Sequence, residues 1–406
     1  MECGSEFRAL ASRNPFVKEL EDDGYDVDCV NGYLIIYGIP YLDKDAALKH
    51  GDWISPVDLK ISPGGLKDWV IDIPSTHQAW FRGGRPHDKS GRELRLGIAE
   101  NKATVSQNFV ANHSFSLKLT ESGQVRQYHS FEEKVRTYLH AITAPAMAAY
   151  PEATPLRAIE KKAAEQGTPL RFPDTLSSRY NINDVSSLLR GKKVAIVGLG
   201  GTGSYILDFI ARTHLEQIAL FDDDKVHVHT IFRMPGFIPR AIGGSKVEAL
   251  VQQYGNWHAG IVPVAERITS QNIERLRGFD FVFVSVDDGP ARRFIVEWLS
   301  SKGIPFVDCG MGLNRSVVGL NGTVRITGVD RAAYERTVDT AYLPTSNAKE
   351  DEYRRQAQIA ELNALNAAFA VIRFKQHLKL FDRLDEAVWY TFETAPFELE
   401  TEGAPR

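Results

Sequence analysis

Residues 193–210 read KVAIVGLGGTGSYILDFI, an apolar β-branched run followed by glycines at 198, 200, 201 and 203 and then an apolar continuation. The run predicts a buried strand, and the residues from Tyr205 to Thr213 predict a helix. Glycines between a strand and a helix permit a tight turn and bring the backbone close to a phosphate. The helix start then offers free N–H groups and the positive end of its dipole. Further apolar runs follow at 217–221 (QIALF), 281–286 (FVFVSV) and 305–308 (PFVD). Strands alternating with helices imply an α/β fold, a Rossmann-like, doubly wound and mostly parallel sheet from residue 179 onward.

The rest of the chain reads differently. Its 406 residues leave room for two or three domains at about 150 residues each. Short apolar runs between Gly, Pro, Asn and Asp clusters, such as YLIIY at 33–37, WVIDI at 69–73 and FSLKL at 115–119, predict a strand-rich α+β domain over 8–150. A helix is expected over 132–147. Residues 151–178, rich in Ala, Pro, Glu and Lys, read as a helical linker, and 179–406 as the second domain. The run Gly4-Ser5-Glu6-Phe7 resembles a cloning-derived sequence, so residues 1–7 are left out of these expectations. The net charge of −4 excludes a partner bound by non-specific attraction to nucleic acid. No apolar run reaches the roughly 18 residues of a membrane helix, and the start lacks a signal pattern, so a cytoplasmic location is expected. Three cysteines, Cys3, Cys29 and Cys309, build neither a disulfide framework nor a four-cysteine zinc site. His77, His87 and His113, with Asp88 and Asn112 near in sequence, lack the spacing of a helical zinc motif. The stretch 81–94 (FRGGRPHDKSGREL) reads as a polar hairpin or binding loop.

The glycine loop alone does not separate NAD from ATP, but the next strand does. It ends in Asp222-Asp223-Asp224, and Arg233 follows shortly after, which suits a triphosphate better than a nicotinamide. Together with Lys246 in GGSKVEAL, Asp287 in VDDGPAR and the helical run 359–375, these motifs resemble the ThiF-type superfamily, which includes the ubiquitin-activating enzymes. The resemblance covers about 180–378. It implies an adenylyltransferase with ATP and Mg²⁺ as cofactors. Gly198, Gly200, Gly201, Gly203, Asp222, Asp224, Thr230, Arg233, Lys246, Asp287 and Arg292 then stand at nucleotide-binding positions, with Asp222 on the ribose and Asp287 on the metal. A homodimer is implied, as are a ubiquitin-like carrier protein and a separate conjugating protein as partners. The first domain resembles an uncharacterised module that precedes ThiF-type domains in bacterial ubiquitin-like conjugation and defence operons. Three positions depart from the family pattern. Thr230 and Asp288 stand for asparagines, and Ile182 stands where an arginine would reach a partner subunit's site.

Carboxylate activation accumulates charge on phosphate oxygens, which Arg233, Lys246 and a magnesium ion on Asp287 can meet. The family's thioester cysteine has no counterpart over 328–351, nor is there a pair of CxxC zinc motifs, so no zinc is expected. Cys309, at the end of a core strand, reads as a buried apolar side chain. The enzyme then either stops at the acyl adenylate or passes the acyl group to a hydroxyl. Thr337 and Thr345 are the candidates for that hydroxyl, with Thr340 and Ser346 beside them. Adenylation of a short peptide, an inactive nucleotide-binding scaffold and a NAD-dependent oxidoreductase remain open on sequence alone.

Overall fold

The computed structural model describes residues 3–61, 67–106, 109–159, 167–236, 239–328, 330–346, 358–383 and 385–402. The chain divides into two compact units, Met1–Lys162 and Ala163–Arg406. The charged helix expected in the linker falls on 160–166, outside the described residues.

The first unit opens with helices α1 (Cys3–Arg13) and α2 (Pro15–Asp22). Against the expectation that residues 1–7 lie outside the fold, α1 begins within them and Phe7 packs against the core. Between the helices, buried Asn14 donates to the carbonyls of Leu10 and Trp69 and accepts from the N–H of Ile71. The central sheet is antiparallel, in chain order β1 (Asp26–Val30), β2 (Tyr33–Leu42), β3 (Leu48–Pro56), β4 (Gln78–Arg82) and β5 (His113–Ser116). Helix α3 (Phe131–Ala149) starts at Ser130, whose hydroxyl accepts from the N–H of Glu133. Its Tyr138 meets Trp53 and Phe115 in a fully buried aromatic core. The histidines do not converge. His77 bonds Ser116 Oγ, His87 bonds the carbonyl of Arg85, and among the described residues no metal-ligand cluster forms in this unit.

The second unit is one eight-stranded sheet. Strands β6 (Lys193–Val197), β7 (Gln217–Phe221), β8 (Ile261–Val264), β9 (Phe281–Val284) and β10 (Phe306–Arg315) pair in parallel in the order β8-β7-β6-β9-β10. The chain winds outward to β8 and then returns to the other side of β6, which places a topological switch point between β6 and β9. Helices α4 (Gly201–Ile210), α5 (Val228–Ile231), α6 (Lys246–Tyr254) and α7 (Gly289–Lys302) fill the connections. The runs of buried Val, Ile, Leu and Phe in β6, β7 and β9 follow from a sheet covered on both faces. Past β10 the sheet turns antiparallel through β11 (Leu320–Thr327), β12 (Trp389–Thr394) and β13 (Phe397–Thr401). Helix α8 (Arg331–Thr337) and helix α9 (Ala360–His377) complete the unit, and α9 packs on α4, β10 and β11.

Candidate active site

A cavity of about 730 Å³ opens at the C-terminal ends of the parallel strands, where such sheets bind ligands. The glycine loop forms its floor. Gly198 has φ +88°, and a Cβ there would meet the Ser285 carbonyl oxygen at 2.6 Å. At Gly201 a Cβ would strike the Asn363 side chain, and at Gly203 the Gly198 carbonyl oxygen. These three glycines are required by packing alone. Gly200, the N-cap of α4, faces nothing within 4 Å, and without a side chain there a ligand can approach the backbone closely. No side chain caps α4, which leaves its first N–H groups directed at the cavity.

The acids of β7 hold the site together. Asp222 is buried, and its carboxylate accepts from the N–H groups of Leu199, at 2.6 Å, and Asp224, at 2.8 Å. It thereby fixes the glycine loop from below. Buried Lys246, the first residue of α6, donates to Asp224 at 2.7 Å and reaches Asp222 at 3.5 Å. The Lys246 hydrogen bond holds Asp224 below the usual carboxylate range. Arg267 pairs with Asp223 at 3.2 Å and is raised by that bond. Asp222, Asp223 and Asp224 are the one potential metal-ligand group among the described residues. All three carboxylates already face a cation of the protein. Asp287, just past β9, lines the cavity, is exposed, and has no ion pair among the described residues. Arg233 also lines it. Its Nε is buried without a hydrogen-bond partner, and burial lowers its pKa against the pull of Asp287 and Asp224.

Other predicted residues lie elsewhere in the local structure. The Thr230 hydroxyl donates to the carbonyl of His227 and accepts from its N–H, closing the first turn of α5. Arg292 lines the cavity, but its guanidinium donates to Asp308, the Pro344 carbonyl and the Val286 carbonyl. Thr337 donates to the Ala333 carbonyl within α8. Thr345 donates to the Asp339 carboxylate, next to the cavity-lining Pro344. Both threonines are buried. Sequence reasoning missed Asp308, which is fully buried between Arg292 and Arg325, each at 2.9 Å. Arg325 also donates to Thr327 and the Tyr342 carbonyl, and Tyr342 stacks on Trp389. The triad thus ties 342–344 to the sheet. A lone aspartate in a strand and an arginine 17 residues later carry no motif that would have revealed it. Cys309 sits in the cavity wall with its thiol pushed far up by burial.

Two family models match the chain, a domain of unknown function (DUF6791) over 15–175 and the ThiF family over 178–390. Ubiquitin-like modifier-activating enzyme 5 of Drosophila ananassae is 30% identical over 151 residues, covering 34% of this chain and 38% of that one. The match therefore spans under two fifths of that relative's length. Among solved structures, E. coli MccB with ATP superposes with a TM-score of 0.43 at 18% identity, over 55% of this chain and 66% of that one. The E. coli tRNA N6-threonylcarbamoyladenosine dehydratase TcdA, in complex with AMP, gives 0.41 at 15%, over 50% and 92%.

Proposed function

We propose, from the premise that this chain belongs to the ThiF family, that its second unit uses ATP to adenylate the C-terminal carboxylate of a ubiquitin-like carrier protein. The observation that carries the reading is Arg233. A buried guanidinium nitrogen without a partner costs free energy unless an anion completes it, and it lies in the same cavity as uncapped α4 and open Gly200. Those groups fit a polyphosphate. Asp287 fits magnesium, which favours carboxylate and phosphate oxygens. When bound, the ion neutralises charge developing on the phosphates.

In this reaction a carboxylate oxygen of the carrier attacks the α-phosphorus. The new P–O bond forms as the bond to pyrophosphate breaks, and pyrophosphate leaves with its charge met by Arg233 and the α4 N–H groups. Asp222 and Lys246 keep the glycine loop and β7 in register with that reaction. For the transfer that follows, Thr345 is kept as the candidate hydroxyl, since of the two threonines it is the one that meets a carboxylate, that of Asp339, which also pairs with Arg293. Its Oγ would bond to the acyl carbon while the bond to AMP breaks, and its proton would go to Asp339.

The test is ATP–pyrophosphate exchange across a panel of carrier C-termini, with wild type and Asp287→Ala. Carrier-dependent exchange that is lost in the variant is expected. Absence of carrier-dependent exchange in wild type refutes the proposal.

A further inference from the structure

Three side chains hold the glycine turn, and each comes from a different element. From the end of β7, Asp222 accepts from the N–H of Leu199. From the end of β9, the Ser285 hydroxyl donates to the Gly198 carbonyl at 2.6 Å. Both of these act on the loop before α4. The third acts on α4 itself. Thr202, the second residue of that helix, donates its hydroxyl to Oδ1 of Asn363 on α9 at 2.9 Å.

Asn363 is an unexpected residue for its place. It is fully buried in α9, with Leu362, Ala367, Ala370, Val371 and Phe374 buried along the same helix. Asparagine is a poorer helix former than leucine or alanine, and a buried amide costs free energy unless it is paired. Packing alone would be served better by an apolar side chain. The amide is instead paired at both ends. Nδ2 donates to the Ile359 carbonyl of its own helix at 3.1 Å, which leaves Oδ1 turned to Thr202. The same side chain occupies the space beside Gly201, where a Cβ would stand 2.1 Å from Nδ2. Three residues on, Asn366 is equally buried and donates to the Gly310 carbonyl at 2.9 Å. Residues three apart share a helix face. One amide therefore fastens α9 to β10, and the other reaches from that fixed place to α4.

The first N–H groups of α4 are directed at the cavity, and how well they meet an anion depends on the height and roll of that first turn. Thr202 lies in the turn and lines the cavity, whereas Asn363 is not among the lining residues. We infer that Asn363 is a positioning residue for the nucleotide phosphates, acting through Thr202 to hold the first turn of α4 at the height where its N–H groups meet them. The inference rests on the adenylation reading and adds to it a residue that touches no substrate.

The experiment is isothermal titration of the full chain with ATP and magnesium chloride, with Tm measured on every variant. Asn363→Leu is expected to raise the Kd for ATP at least 10-fold. Thr202→Val should do the same, while Thr202→Ser, which keeps the hydroxyl, should stay within about threefold of wild type. Adding Thr202→Val to Asn363→Leu should weaken binding no further, because the two residues act as one pair. Asn366→Leu, which loosens α9 without touching the turn, should lower Tm and leave Kd within about threefold. Should Asn363→Leu fail to fold, the contrast between Thr202→Val and Thr202→Ser decides the matter. Wild-type affinity in Asn363→Leu overturns the inference, as does an equal loss in Asn366→Leu, which would make the effect a general loosening of α9. Additive losses at 363 and 202 overturn it as well, since Thr202 would then act on the nucleotide alone. Each of these leaves adenylation standing. A wild-type chain that binds no ATP overturns adenylation and this inference together.

Discussion

Asp308→Asn tests whether the buried triad is what pins 342–344 against the sheet. The wild-type carboxylate has no solvent exposure and makes two charged hydrogen bonds of 2.9 Å, to Arg292 and Arg325, which are themselves nearly buried. The triad carries one net positive charge, and the substitution raises that to two. Hydrogen bonds to charged groups contribute about 1.5–3 kcal/mol each, and asparagine can restore one neutral bond of about 1 kcal/mol. The net loss is about 3 kcal/mol, the scale found when one member of a buried ion pair is removed. Urea unfolding of the full chain, followed through the transition of the second unit, measures it. A double-mutant cycle with Arg325→Met should then show a coupling of about 2 kcal/mol, because each partner's cost depends on the other. A loss below about 1 kcal/mol, or additive behaviour in the cycle, would show that water or relaxation compensates the triad and would refute this account.

Arg233→Met should slow pyrophosphate exchange by about 10²-fold or more while leaving Tm unchanged or raised, because it removes a buried nitrogen that has no partner in the protein. Asp287→Ala should abolish exchange with unfolding unaffected, as the side chain is exposed and outside every ion pair of the described residues; a lowered Tm would mean a structural role. With Cys309→Ser, carrier attachment should persist, since burial keeps that thiol protonated; attachment lost only in this variant would restore a thioester. Lys134, fully buried and donating to the Thr76 carbonyl, is lowered by burial to about 8. Between pH 8 and its unfolded value of 10.5 the unfolded chain holds the extra proton, so wild-type stability rises with pH over that window. Lys134→Met should therefore be the more stable protein at pH 7, with an advantage that shrinks by about 3 kcal/mol across the window, read from paired denaturation curves.

The strand–glycine–helix unit at 193–210 was legible because three independent local signals agree there: an apolar β-branched run, glycines where the chain must turn, and a helix start. β7 and β9 were legible for the related reason that a strand buried on both faces has an unbroken apolar run. The antiparallel strands were not. VRIT and WYTFET are short and of mixed polarity, and they become strands because β10 offers an edge to the first and β11 an edge to the second. The roles of single residues were harder still. Asp222 reads as a ribose ligand by position, while its carboxylate also braces Leu199 and Asp224. Thr337 and Thr345 look alike in sequence. One closes a helix turn and the other meets a carboxylate, which depends on backbone acceptors and loop paths that spacing does not encode. Arg292 and Arg325 found the same aspartate through tertiary packing alone.

β10 has a consequence for how such a protein can change over generations. Its first residues pair in parallel with β9 and its later ones antiparallel with β11, without a bulge in either pairing. Side chains along it alternate faces with a period of two. Losing or gaining a single residue within it would turn Gly312 toward α9 and carry Leu313 into the cavity. Length changes are therefore closed to this segment. Change within this segment is therefore expected by substitution, on a strand of constant length.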